Sequence, residues 1–95
     1  FIDSVREKGE YLIGRLEKLQ ERWPEHITGV RGRGLIAGAV TVRPAADYLA
    51  AFRERDILVA TAGADVVRFL PPLIVEQNRI DEVVDVFDEI LRQGV

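Results

Sequence analysis

Three amphipathic stripes at helical spacing, set among short β-prone runs, decide most of what this chain can fold into. Ile2, Val5, Leu12, Leu16, Leu19 and Trp23 recur at separations of three, four or seven, with Arg, Glu and Lys between them. That period predicts a helix ending near Trp23-Pro24, weakened at Gly9 and Gly14 by roughly 1 kcal/mol each relative to Ala. Ala45, Tyr48, Leu49 and Phe52 form a second stripe behind Pro44, a residue tolerated at a first helical turn. Ile80, Val83, Val84, Phe87, Ile90 and Leu91 form the third, with Asp and Glu on its outer face. Between the stripes, "VRGRGLIAGAVTV" reads as one long strand from about Val30 to Val42, relieved by its glycines. "ILVA" and "VVRFL" read as two short strands joined through "TAGAD", where Gly63 suits a tight connection.

The expected order is α-β-α-β-β-α. Two or three helices cannot bury their stripes on each other and also cover a short sheet on both sides. The economical architecture is an α+β two-layer sandwich, a small and mostly antiparallel sheet with the helices on one face. With 95 residues, residues 1–95 make a single domain. The uncovered sheet face must then meet another domain, a partner or solvent. "LIAGAV" and "ILVA" predict a contiguous apolar patch there.

Composition removes several classes. A net charge of −3 and only two lysines, Lys8 and Lys18, give no basic stripe for neutralising phosphates, so no nucleic acid is expected. Cys is absent, which removes disulfides, thiolate metal sites and thiol redox chemistry and fits a cytoplasmic chain. No apolar run approaches the roughly 20 residues that cross a bilayer, and no signal-like segment opens the chain. It starts at Phe1 without Met, already inside a helical pattern, and is expected to be a piece of something longer.

Each candidate motif has a structural and a functional interpretation. "GRGLIA", Gly32 to Ala37, matches G-x-G-x-x-G/A, with Asp56 about twenty residues on. That fingerprint needs a helix N-terminus after the glycines, whereas "GAVTV" continues as a strand. Its glycines are therefore expected to relieve a twisted strand. Arg31 and Arg33 share one side of that strand, as a solvated edge, a domain contact or a site for an acidic ligand. His26, the only histidine, has no neighbours at metal-ligand spacing and no serine elbow for a triad. The charged face of the last helix is expected to be solvated. Arg68 is the sharpest case: a permanent cation between Val67 and Phe69, near Asp65, in a segment that ends on Pro71-Pro72. A strand that carries it inward must give it an anion. That anion is either an internal carboxylate or the carboxylate of a ligand, held bidentately.

"VRGRGLIAGAVTV", a helix, "ILVATAGADVVRFLPPLIV" and "IDEVVDVFDEIL", in that order, resemble the C-terminal small domain of class III, fold-type I, pyridoxal-phosphate-dependent aminotransferases. The acetylornithine aminotransferase group is the most similar. The resemblance covers nearly the whole chain. Glu76-Gln77-Asn78-Arg79 departs from it, because relatives tend to cap the last helix with Thr or Ser. The resemblance implies that Arg68 binds the α-carboxylate of the amino-acid substrate and of 2-oxoglutarate. It also implies a cytoplasmic homodimer in arginine biosynthesis, with pyridoxal 5'-phosphate held by a large domain. The Schiff-base lysine and the other cofactor contacts belong to that large domain, so no catalytic, cofactor-binding or metal residue is expected on this chain. Neither Lys8 nor Lys18, on the outer side of the first helix, is a credible Schiff-base lysine. The alternative is a free-standing, non-catalytic α+β interaction module that kept the fold.

Overall fold

The computed structural model describes residues 2–33, 36–69 and 77–94, with side chains except at 2–5, 33, 36 and 77. Helix α1 spans Ile2–Arg22, strand β1 Ile27–Arg33, β2 Ile36–Thr41, helix α2 Ala45–Arg53, β3 Ala60–Thr61, β4 Val66–Phe69 and helix α3 Gln77–Gln93. The strands form one antiparallel sheet in the order β1-β2-β4-β3. The α+β sandwich expected from the sequence is therefore what the chain adopts, in the order α-β-β-α-β-β-α.

The extra strand corrects one expectation. The run read as a single strand from Val30 to Val42 is two strands, β1 and β2, paired so that Arg33 stands opposite Ile36. Folding the run on itself satisfies the backbone groups of both halves, which a thirteen-residue strand would leave to other partners. Gly34 and Leu35 of "GRGLIA" lie outside the described residues, as do Leu70 to Glu76, which include Pro71-Pro72 and the start of the Glu76–Arg79 departure.

α1 packs against β1, β2 and α3, and α2 packs against α3, β3 and β4. The three stripes meet the sheet in one core. Leu12, Leu16 and Leu19 of α1, Tyr48 and Phe52 of α2, and Ile80, Val83, Phe87 and Ile90 of α3 are all buried. At its centre Phe87 contacts Tyr48, Phe52 and Phe69, with ring centroids 5.7, 5.4 and 5.9 Å apart. These spacings lie in the range where aromatic pairs add to plain area burial.

The connections follow from backbone chemistry. α1 stops at Trp23-Pro24, and the Trp23 carbonyl accepts the amides of His26 and Ile27, at 3.0 and 2.9 Å. Asp56 takes φ 60 just after α2, which lets the Ile57 amide reach the Phe52 carbonyl at 3.0 Å. Asp tolerates that left-handed conformation better than most non-glycine residues, so Asp56 is a helix terminator rather than part of a nucleotide fingerprint. Gly63, at φ 76, turns the chain between β3 and β4 as expected.

Gly14 sits inside α1, and no heavy atom lies within 4 Å of where its Cβ would stand. Gly14→Ala should therefore stabilise the chain by about 0.5–1 kcal/mol, through the lower backbone entropy of Ala in the unfolded state. Denaturant unfolding checks this; a midpoint that falls would show that the position is crowded.

Candidate functional site

β4 decides where Arg68 sits. Its residues alternate: Val67 and Phe69 are buried under the helices, and Val66 and Arg68 occupy the other face. β4 is an interior strand, so Arg68 is flanked on both sides, by Gly38 of β2 and Ala60 of β3. The row continues to Arg31 of β1, which pairs with Gly38. Directly opposed residues share a face. A line of Arg31, Gly38, Arg68 and Ala60 therefore crosses the side of the sheet that the helices leave uncovered.

Arg68 is half-buried there, and among the described residues no hydrogen bond or ion pair engages its side chain. Asp65, the nearest acidic residue in sequence, is exposed, and its carbonyl accepts the Thr41 amide at 2.7 Å. Other arginines behave differently. Arg15, Arg22, Arg43, Arg79 and Arg92 each meet a carboxylate, and Arg55 meets Gln93 and the Ala51 carbonyl. Arg6, Arg31 and Arg53 have no such partner among the described residues, but they are exposed. Arg68 alone in this group combines partial burial with no internal anion.

The apolar patch expected from "LIAGAV" and "ILVA" falls only in part on the described residues, since Leu35 and the Ile36 side chain lie outside them. Ala37 and Ala39 lie on the helix side of β2, and Ile57 and Val59 are buried as well. Gly38, Val40, Val66 and Ala60 remain beside the arginines. Among the described side chains, that face therefore carries small and apolar residues around the arginines. Among the described residues, Val42 and Leu58 are the large hydrophobics that stand out, 61% and 63% exposed.

The remaining candidates resolve more simply. "GRGLIA" runs from β1 into β2, so a strand and not a helix follows its glycines. Arg31 is exposed, and the Arg33 side chain lies outside the described residues. His26 stacks obliquely on Trp23 at 5.9 Å and lies 4.0 Å from Glu25. Among the described residues no cluster of three His, Cys, Asp or Glu could hold a metal ion, and no helix is long and apolar enough to cross a membrane.

The acidic face of α3 is not simply solvated, which corrects the sequence expectation. Asp81 accepts hydrogen bonds from both Tyr11 and Arg15 of α1, and Asp85 accepts from Arg15 at 3.1 Å. Asp88 accepts from the Trp23 indole at 2.7 Å and from Arg22 at 3.2 Å. Hydrogen bonding with Tyr11 is the main cause holding the Arg15 guanidinium above its ordinary pKa, against the opposing effect of burial. These contacts clip α1 to α3 in the helix layer, across the sheet from Arg68. A groove of about 430 Å³ between α2 and the end of α3 is also on the helix side. In it Arg43 pairs with Asp47 at 3.8 Å and Arg55 donates to the Gln93 amide oxygen at 2.8 Å, with Glu54 also in the lining.

Sequence reasoning singled out Arg68 but not its sheet neighbours Gly38 and Ala60. The signal that locates them is the strand register, and that depends on recognising two strands where one was read.

The chain is similar to known proteins along almost all of its length. The family model described as aminotransferase class-III matches residues 1–91. The mitochondrial acetylornithine aminotransferase of Saccharomyces cerevisiae is 36% identical over 91 residues, 96% of this chain and 22% of that protein. The acetylornithine aminotransferase of Methanocaldococcus jannaschii is 41% identical over 91 residues, 96% of this chain and 23% of that protein. Among solved structures, the lysine aminotransferase from M. tuberculosis matches with a TM-score of 0.80 at 32% identity, over 97% of this chain and 21% of that one. The chain thus spans less than a quarter of the length of these relatives.

Proposed function

This chain belongs to the class III aminotransferase family, and on that premise we propose that residues 1–95 are the small C-terminal domain of an aminotransferase that uses 2-oxoglutarate. The domain's part in that reaction is to recognise a carboxylate through Arg68. The observation that carries the proposal is a half-buried arginine on the uncovered sheet face with no internal anion among the described residues. A planar fork of N–H donors held this way fits a carboxylate bidentately.

The donor proposed is N-acetylornithine, supported by the names of the yeast and archaeal relatives. Its primary amine is at the end of the chain opposite its carboxylate. The carboxylate next to a reacting carbon therefore belongs to 2-oxoglutarate and to the glutamate it becomes. Arg68 serves that half of the exchange most directly. Its fork fixes the oxo acid's α-carboxylate, and hence the orientation of the neighbouring carbonyl carbon.

Pyridoxal phosphate is the cofactor the family implies. The residues of this chain do not fit it. Its two lysines, Lys8 and Lys18, both lie on α1, in the helix layer, with the sheet between that layer and the face that carries Arg68. Cofactor anchoring is assigned to a large domain outside this chain, in a homodimer. A cytoplasmic setting belongs to the same proposal, although the yeast relative is by name mitochondrial; cell fractionation decides between the two compartments.

Two measurements test the proposal. The chain alone should retain no pyridoxal phosphate, and a cofactor absorbance band that survives gel filtration of the purified chain would contradict it. The longer protein should transfer an amino group from N-acetylornithine to 2-oxoglutarate. Failure of that transfer would favour the alternative, a non-catalytic interaction module.

A further inference from the structure

The row that crosses the uncovered face is unusual for what it lacks. Arg68 has a methyl on one flank, at Ala60, and no side chain on the other, at Gly38. Directly opposed residues bring their Cβ atoms to about 4.5–5.5 Å, so any larger side chain at Gly38 would stand against the arginine's stem. Gly38 is also a point of close approach between β2 and β4. A Cβ there would lie 3.0 Å from Val66 Cγ1, 3.0 Å from the Val67 carbonyl oxygen and 3.8 Å from the Arg68 Cα. The Val67 oxygen is backbone and cannot swing aside. Adding one carbon must therefore move β4 by a few tenths of an ångström at the pair that carries Arg68. Gly29 provides the contrast. It sits on the same face, one strand over, and a Cβ there would meet Val40 at an ordinary 3.7 Å.

We propose that Gly38 is a positioning residue for carboxylate recognition. Its missing side chain sets the height of Arg68 by allowing the close β2–β4 approach, in which Gly38 is buried against Val66 and the Val67 carbonyl. The proposal rests on the assignment of Arg68 to the α-carboxylate of 2-oxoglutarate.

The test uses the full-length enzyme and two acceptors that differ only in that carboxylate. Succinic semialdehyde is 2-oxoglutarate without its α-carboxylate, so the ratio of the two kcat/KM values reports recognition at Arg68 and cancels general damage to the enzyme. A misplacement of 1 Å can cost about a hundredfold, so a shift of a few tenths should lower the ratio by roughly three- to tenfold. Gly38→Ala is expected to do this mainly through a higher KM for 2-oxoglutarate, with succinic semialdehyde turnover held. Gly29→Ala should leave the ratio unchanged. Should Gly38→Ala alone fail to fold, the Gly38→Ala/Val66→Ala pair carries the test, because removing the Val66 γ-methyls lifts the side-chain half of the clash. An unchanged ratio in the folded variant, or an equal fall with Gly29→Ala, overturns the proposal. Arg68→Lys separates the levels: if that change leaves the ratio intact, the assignment of Arg68 itself fails. If Arg68→Lys lowers the ratio and Gly38→Ala does not, only the role of Gly38 fails.

Discussion

Arg68→Lys in the full-length enzyme is expected to lower kcat/KM for 2-oxoglutarate by about one to two decades. The magnitude follows from the bond type. A charge-assisted hydrogen-bonded contact contributes about 1.5–3 kcal/mol, and each 1.36 kcal/mol is about tenfold in rate. Lysine keeps the charge but loses the planar fork, so the second parallel N–H···O bond goes with it. Arg68→Ala should cost at least as much. Succinic semialdehyde, which offers no α-carboxylate to Arg68, should be turned over nearly as before. Stability should barely move, because no partner among the described residues loses a contact and substitutions of that kind usually stay within about 0.5 kcal/mol. An unchanged kcat/KM for 2-oxoglutarate, or a large loss of stability with activity retained, would return Arg68 to the role of an internal salt-bridge residue.

The face on which Arg68 lies was legible from alternation alone, because buried Val67 and Phe69 leave Arg68 only one direction. The two flanks of Arg68 were not legible. Which strand lies beside β4 depends on pairing, and pairing was obscured by "VRGRGLIAGAVTV". That run has no Asn-Gly or Asp-Gly dipeptide to announce a hairpin, and its glycines are spread along it. Its thirteen residues were nevertheless a warning, since strands typically run to five or six. The three helices were the easiest part, because each stripe carries its own period and needs no knowledge of the rest of the chain. The outer face of α3 shows the limit of that independence. Asp81 and Asp88 look solvated in one dimension, yet Arg15 and Arg22 of α1, and Trp23 just after it, reach them. Only the packing of α1 beside α3 reveals it.

The largest effect on stability is expected at Phe87. The side chain is fully buried and touches rings from three other positions, Tyr48 and Phe52 of α2 and Phe69 of β4. Truncation to Ala leaves a cavity that two helices and a strand cannot all close, because each is also held by its own neighbours. Phe→Ala changes of this kind cost about 3–5 kcal/mol, against a total of about 5–15 kcal/mol for a typical domain. Phe87→Ala should therefore move the denaturation midpoint sharply at an unchanged m-value, while Phe87→Leu, which keeps most of the volume, should cost clearly less. A loss below about 1 kcal/mol for Phe87→Ala would mean that the ring cluster does not hold the core together. The consequence reaches the site as well. Phe69 is the residue after Arg68 and packs on Phe52 and Phe87, at 6.1 and 5.9 Å between centroids. A cavity under Phe69 loosens the strand that carries the guanidinium. Phe87→Leu, if folded, should then lower selectivity for 2-oxoglutarate over succinic semialdehyde in the same direction as Gly38→Ala, by slackening β4 from below where Gly38→Ala displaces it from the side.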